Sequence, residues 1–179
     1  MEYHRIYDPL DPELFFVREL YQQAFPVKER REWQQLLYLL EKEPDMFLDC
    51  IRDEGQTIGF IIWWKMGNWA FIEHFAVSVT ERGKNYGSRV IKHYLNAAEA
   101  DLLLEVEPPD NEDARRRVMF YQRLGMVLLD YDYRQPSYRE AGVSYPLRLM
   151  SSKTDLDPNT PDFEKLVKSV KAKVYHVQC

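Results

Sequence analysis

From Trp69 to Leu95 the chain reads "WAFIEHFAVSVTERGKNYGSRVIKHYL", and its apolar period changes midway. Residues alternate up to Val79, as a strand requires. Val90, Ile91, Tyr94, Leu95 and Ala98 then share one helical face. Between the two lies the polar stretch "ERGKNYGS". A strand that feeds a helix through a short turn leaves unsatisfied N–H groups and the positive end of the helix dipole at that turn. This is an anion site in outline, and Arg82 and Lys84 add charge to it. Gly83 and Gly87 let the backbone come close to a ligand. The loop is not a Walker A loop, because its Gly-Lys pair precedes the gap and no Ser or Thr follows the lysine. No G-x-G-x-x-G occurs either. On the residues alone, a bound anion and a well-capped turn without a ligand are equally open.

The remaining elements follow from period and punctuation. "YHRIYDP" alternates and stops at Asp8 and Pro9. A helix follows with Asp11 as N-cap and Pro12 in its first position, carrying Leu14, Val17, Leu20, Tyr21 and Ala24 on one face. A second helix is expected over "KERREWQQLLYLLEKEP", with Trp33, Leu36, Leu37 and Leu40 inward. "MFLDCIRD" and "TIGFIIWWK" read as strands around a turn at Gly55, the second apolar enough for burial on both faces. "WAFIEHFAVSV" is the third strand of this meander. After the loop and its helix, "DLLLEVEPP" is a strand and "DNEDARRRVMFYQRLG" a helix capped by Asp110 or Asn111 and ended by Gly125. "MVLLDYDYRQP" and "YPLRLM" are the last strands. The order β-α-α-β-β-β-α-β-α-β-β implies a mixed α/β (α+β) domain over residues 1–150, a sheet flanked by helices. Residues 151–179 read as a polar linker and an appended C-terminal helix with Phe163, Leu166, Val167 and Val170 on one stripe. That stripe leaves two outcomes open: packing on the same domain, or pairing of two copies as a homodimer.

A length of 179 residues suits one domain, and 45 % apolar content supplies its core. The net charge of −5 argues against non-specific nucleic-acid binding. Cys50 and Cys179 form no CxxC pair, so no metal site is expected and both read as free thiols of a reducing cytoplasm. The N-terminus has no apolar leader segment, and no run nears the roughly 20 apolar residues of a membrane span. A cytoplasmic protein with no nucleic-acid and no membrane partner is the expectation.

Two stretches resemble the GNAT superfamily, which transfers acyl groups from acyl-coenzyme A to amines. "HFAVSVTERGKNYGSRVIKHYL" is similar to its cofactor motif Arg/Gln-x-x-Gly-x-Gly/Ala, matched by Arg82 and Gly87, with Asn85 at the middle glycine. Asn tolerates the left-handed backbone region better than most residues, so the turn can form. "RRVMFYQRLGM" is similar to the second motif through Tyr121 and Gly125, Met126 standing for a Phe. The element order also agrees as far as Met150. The resemblance implies a mostly antiparallel sheet and acetyl-coenzyme A as cosubstrate. It implies that backbone amides of Arg82, Gly83, Lys84, Asn85, Tyr86, Gly87 and Ser88 hold the pyrophosphate. It implies that Phe75, Ala76, Val77 and Val79 pair with the pantetheine arm, and that Tyr121 protonates the leaving thiolate.

The acceptor amine must lose a proton. Glu73 shares a strand face with Phe75 and Val77, and burial would suit it to act as the base. It reads equally well as a satisfied polar residue at a strand end. Glu105 and Glu107 are alternative bases or acceptor contacts, and His74 reads as structural. The runs Arg115 to Arg117 and Lys28 to Glu32 are either solvated faces or contacts, the first to a coenzyme phosphate or an acidic acceptor, the second as a rim for the acceptor. Tyr131, Tyr133, Gln135 and Tyr138 line an acceptor pocket or pack the sheet. The expected activity is transfer of acetyl to a primary amine, small or peptidic, by direct attack in a ternary complex. The alternative is a non-catalytic acyl-coenzyme A binding module, with a nucleic-acid binder as a further rival.

Overall fold

The computed structural model describes residues 1–97 and 100–176. Ala98 and Cys179, placed above on a helix stripe and as a free thiol, lie outside the described residues. The described residues form a mixed α/β fold of eight strands in mostly antiparallel pairing, flanked by five α-helices. It divides into two compact units, one of residues 1–64 with 72–87 and one of residues 65–71 with 88 onward.

The first unit contains β1 (Glu2–Ile6), α1 (Leu14–Ala24), α2 (Trp33–Lys42), β2 (Met46–Asp53) and most of β3 (Gln56–Met66) and β4 (Trp69–Val77). The strands lie in the order β1-β2-β3-β4. β2 runs antiparallel to β1, with His4 opposite Cys50, and to β3, with Cys50 opposite Phe60. Glu54 and Gly55 both take positive φ, 51° and 78°, which makes the tight β2–β3 turn. Ile58, Phe60, Ile61, Ile62 and Trp64 of β3 are all buried, as a strand covered on both faces must be. On α1 and α2 the buried residues are Leu14, Val17, Leu20, Tyr21, Leu36, Leu39 and Leu40, and Tyr21 meets Phe60 of β3 edge-on. Gly59 is required by its neighbour: a Cβ there would stand 2.5 Å from the carbonyl oxygen of Ala76 on β4.

Three boundaries differ from the sequence reading. Helix α1 begins at Leu14, after a turn in which Asp11 accepts the Glu13 N–H at 2.9 Å. Helix α2 begins at Trp33, not Lys28. Residues Val27–Glu29 form a 3₁₀ turn and Arg30 is extended, because Arg31 turns inward. Strand β4 ends at Val77, since the Ser78 carbonyl accepts the Glu81 N–H at 3.0 Å and starts a second 3₁₀ turn, Val79–Glu81.

The second unit holds most of α3 (Tyr86–Ala97), then β5 (Asp101–Val106), α4 (Glu112–Gln122), β6 (Val127–Leu128), β7 (Tyr133–Pro136), β8 (Ser144–Ser151) and α5 (Pro161–Tyr175). Strand β8 is antiparallel to β5, β6 and β7. The single strand expected over residues 126–136 is therefore two. β6 and β7 meet opposite ends of β8, and Arg148 approaches the carbonyl oxygen of Leu129 (3.4 Å) and the carboxylate of Asp130 (3.6 Å) in the bend between them. Asn111 caps α4, accepting the Ala114 N–H at 2.9 Å, and Thr160 caps α5. Helix α5 packs within this unit: Phe163, Leu166, Val167, Val170, Val174 and Tyr175 are buried, and Phe163 meets Tyr131 edge-on. No helix among the described residues is long and apolar enough to cross a membrane.

Candidate active site

The loop singled out by the change of period has an unusual backbone. Gly83 and Asn85 both take the left-handed region, at φ 81° and 64°. Asn85 thus adopts the conformation that its residue type tolerates and most others resist. No atom lies within 4 Å of where a Gly83 side chain would start, so the backbone there is open to approach. Arg82, Gly83, Lys84 and Asn85 are exposed, while Tyr86, Gly87 and Ser88 are half-buried as α3 begins. N–H groups of a first helical turn have no partner within the helix. Successive turns of this kind make a concave cradle for anionic oxygens. The Lys84 ammonium is steadied by Glu81 at 2.9 Å, and the Tyr86 hydroxyl donates to Asp53 at 2.5 Å, tying the loop to the end of β2. Val79 does not continue the strand: it sits in the 3₁₀ turn with an exposed side chain.

Glu73 lies on β4, just before Phe75, Ala76 and Val77. Its side chain is fully enclosed, while the residue as a whole is only half-buried, so its accessible surface is main chain. Phe75 and Val77 are half-buried too. The carboxylate receives Arg31 Nε at 2.9 Å on Oε1 and Trp64 Nε1 at 2.6 Å on Oε2. Both oxygens hold a donor, and the enclosed side chain is closed to solvent. His74 is buried between the rings of Tyr21 and Phe25, at 4.9 and 4.5 Å. Its Nε2–H donates to the carbonyl oxygen of Glu29 at 2.8 Å. Burial holds this imidazole below its ordinary pKa of 6.5, and Arg31 pushes the same way against the opposing pull of Glu73.

Tyr121 belongs to the second unit, half-buried on α4, with its ring edge-on to Phe120. Burial raises its phenol to about 12, against a smaller opposing effect of Arg117. It therefore carries its proton throughout the neutral range. Arg115, Arg116 and Arg117 are exposed and find local partners in the Pro109 carbonyl and in Glu112 and Glu107.

Glu105 on β5 gathers a second polar cluster. Tyr133 donates to Oε1, while Gln135 and Tyr175 donate to Oε2 at 2.6 and 2.7 Å. Gln135 also reaches the Tyr175 hydroxyl at 2.9 Å, and Tyr138 lies 3.4 Å from it. Tyr133, Gln135 and Tyr138 thus converge, as their place in the sequence suggested, whereas Tyr131 packs on Phe163 instead. Sequence reasoning missed Trp64 and Tyr175, and took Arg31 only as one member of the run Lys28 to Glu32 that reads as a solvated face or acceptor rim. Tyr175 had a usable signal, since it extends the apolar stripe of α5. His4, Asp11 and Glu13 bring one imidazole and two carboxylates within 4.8 Å of one another, though Glu13 is already engaged by Arg52 and Thr57.

The sequence matches the acetyltransferase (GNAT) family over residues 14–126. A structure described as an acetyltransferase of the GNAT family from Bacteroides thetaiotaomicron is similar at a TM-score of 0.91. It has 32 % sequence identity, with 99 % of this chain and 100 % of that chain covered. A variant of the spermidine N-acetyltransferase of Vibrio cholerae shares the fold at a TM-score of 0.62 and 12 % identity, covering 84 % of this chain and 94 % of that one. The ribosomal-protein-S18-alanine N-acetyltransferase of Escherichia coli does so at 0.58 and 15 %, covering 84 % and 91 %. No curated protein matches the chain. By the family match and the full-length likeness together, the chain belongs to the GNAT acetyltransferases, enzymes whose general activity is acetyl transfer to amines.

Proposed function

We propose that this enzyme transfers the acetyl group of acetyl-coenzyme A to a primary amine, by direct attack within a ternary complex. The observation that carries this reading is the paired left-handed backbone of Gly83 and Asn85 at the start of α3. It supports a pyrophosphate cradle formed by the amides of Arg82, Gly83, Lys84, Asn85, Tyr86, Gly87 and Ser88. The accessible main chain of β4 supports pairing of Phe75, Ala76 and Val77 with the acyl arm, their amides polarising the carbonyl under attack. Val79, past the end of the strand, is assigned a side-chain contact at most. The cosubstrate supplies its acetyl group as a thioester, activated for attack by an amine.

Tyr121 is assigned the proton that the leaving thiolate takes up. A phenol raised to about 12 keeps that proton available at neutral pH. Glu73 is assigned a holding role in place of the base, because its side chain is fully enclosed and its oxygens hold Arg31 and Trp64. The acceptor attacks as the neutral amine, the carbon–sulfur bond breaks as the tetrahedral intermediate collapses, and the proton that the nitrogen sheds passes through solvent to restore the Tyr121 phenol. Mass spectrometry of an amine library incubated with acetyl-coenzyme A tests the reaction and names the acceptor. Tyr121→Phe should lower kcat by about 10²- to 10⁴-fold with the calorimetric Kd for acetyl-coenzyme A unchanged. Unchanged turnover would remove Tyr121 from the mechanism. Acetyl-coenzyme A binding without any acetylated amine would favour the non-catalytic binding module.

A further inference from the structure

The first unit encloses two opposite charges completely, Arg31 and Glu73, with side chains 1 % and 0 % exposed. A buried ion pair seldom adds net stability over apolar residues of equal volume, so its use lies in fixing one geometry. Here it fixes the link between α1 and α2. Four tethers hold that link from below. Arg31 Nε meets Glu73 at 2.9 Å, and the Arg31 N–H donates to the Tyr21 hydroxyl at 2.9 Å. The Glu29 carbonyl oxygen accepts from His74 at 2.8 Å, and Arg30 Nε donates to the Phe25 carbonyl at 3.1 Å. The tip of the link is the reverse: Val27 and Lys28 are 55 % and 61 % exposed. A segment with a buried, hydrogen-bonded root and an exposed tip is preorganised for contact, because its ordering cost is met before a ligand arrives. Two of the four tethers end on Glu73 and His74, directly ahead of Phe75, Ala76 and Val77.

We infer that Arg31 and Glu73 are positioning residues, whose ion pair pins the α1–α2 link to β4 and holds its tip, Val27 and Lys28, in register with the strand as the acceptor-contacting edge. This rests on the acetyl-transfer reading above. It explains why a strand next to the proposed acyl-arm residues spends a carboxylate on a guanidinium from 42 positions earlier in the chain.

The test uses the full chain as wild type, as Glu73→Gln, and as the double variant Arg31→Met with Glu73→Met, which leaves no unmatched charge if the single variant does not fold. Amide hydrogen exchange across residues 26–32 should quicken by about tenfold or more, with β2 and β3 still protected. The acceptor KM should rise by on the order of 10- to 100-fold, with the Kd for acetyl-coenzyme A within about twofold of wild type. A merely structural pair would move both constants together or neither. Wild-type exchange over residues 26–32 in a folded variant overturns the inference, as does an unchanged acceptor KM or a parallel rise of KM and Kd. If the wild type itself acetylates no amine, the acetyl-transfer reading falls and takes the acceptor role with it. The exchange measurement then decides separately whether the pair holds the link.

Discussion

Glu73 in the first unit and Glu105 in the second solve the same problem by different means. Each places a carboxylate on a strand whose other residues are largely apolar. Each binds a distant segment of chain to that strand. Glu73 does so with a full opposite charge, Arg31, and one indole N–H. Glu105 does so with three neutral donors, the phenols of Tyr133 and Tyr175 and the amide of Gln135. The difference lies in how the cost is divided. A charge pair fails as a unit, because losing one partner strands the other in a medium that cannot solvate it. A ring of neutral donors fails in steps, since each lost hydrogen bond leaves the rest in place.

Glu73→Ala should have the largest effect. It removes the carboxylate that Arg31 Nε and Trp64 Nε1 share inside the first unit, and should cost about 3–5 kcal/mol in urea unfolding. A loss below about 1 kcal/mol would mean that Arg31 escapes to solvent and the pair is not obligatory. Tyr175→Phe should cost less, about 1–3 kcal/mol, because Tyr133 and Gln135 still serve Glu105. Should it equal Glu73→Ala in the same assay, the contrast between unit and stepwise failure is wrong. The smallest effect is that of pH on the first cluster. The folded pKa of His74 lies below its unfolded value of 6.5, so the unfolded chain binds the extra proton. The stability that neutral His74 contributes is present above pH 6.5 and is lost as pH falls towards the folded value. Its slope is at most about 1.4 kcal/mol per pH unit. His74→Gln, which keeps a donor for the Glu29 carbonyl, should flatten that part of the pH profile. An identical profile would assign the acid loss to the carboxylates.

Much of the fold was legible because its signals are local. The spans of β2 and β3 follow from their apolar runs and from the turn at Gly55, and the inward face of α5 from its spacing. The Asn85 loop was legible as well: its residue type allows the left-handed turn that the backbone makes. Arg31 was not. Nothing within "KERRE" separates Arg31 from Arg30, yet one is buried and the other half-exposed. The carboxylate that decides between them lies 42 positions along the chain. Gly59 was silent for the same reason, since the carbonyl that excludes a side chain belongs to Ala76.

The sequence by itself determined the order of strands and helices except the division of residues 126–136 into β6 and β7, the turn at Asn85 and the two motifs that resemble the acetyltransferases. All of these depend on contacts between residues close in the chain, where period, caps and turn residues act directly. Tertiary structure alone decided which charges are buried and what they hold. It turned Glu73 from a free carboxylate into one half of an ion pair, and drew Tyr175 from the last helix onto Glu105. Desolvation and pairing depend on neighbours that only the folded chain assembles.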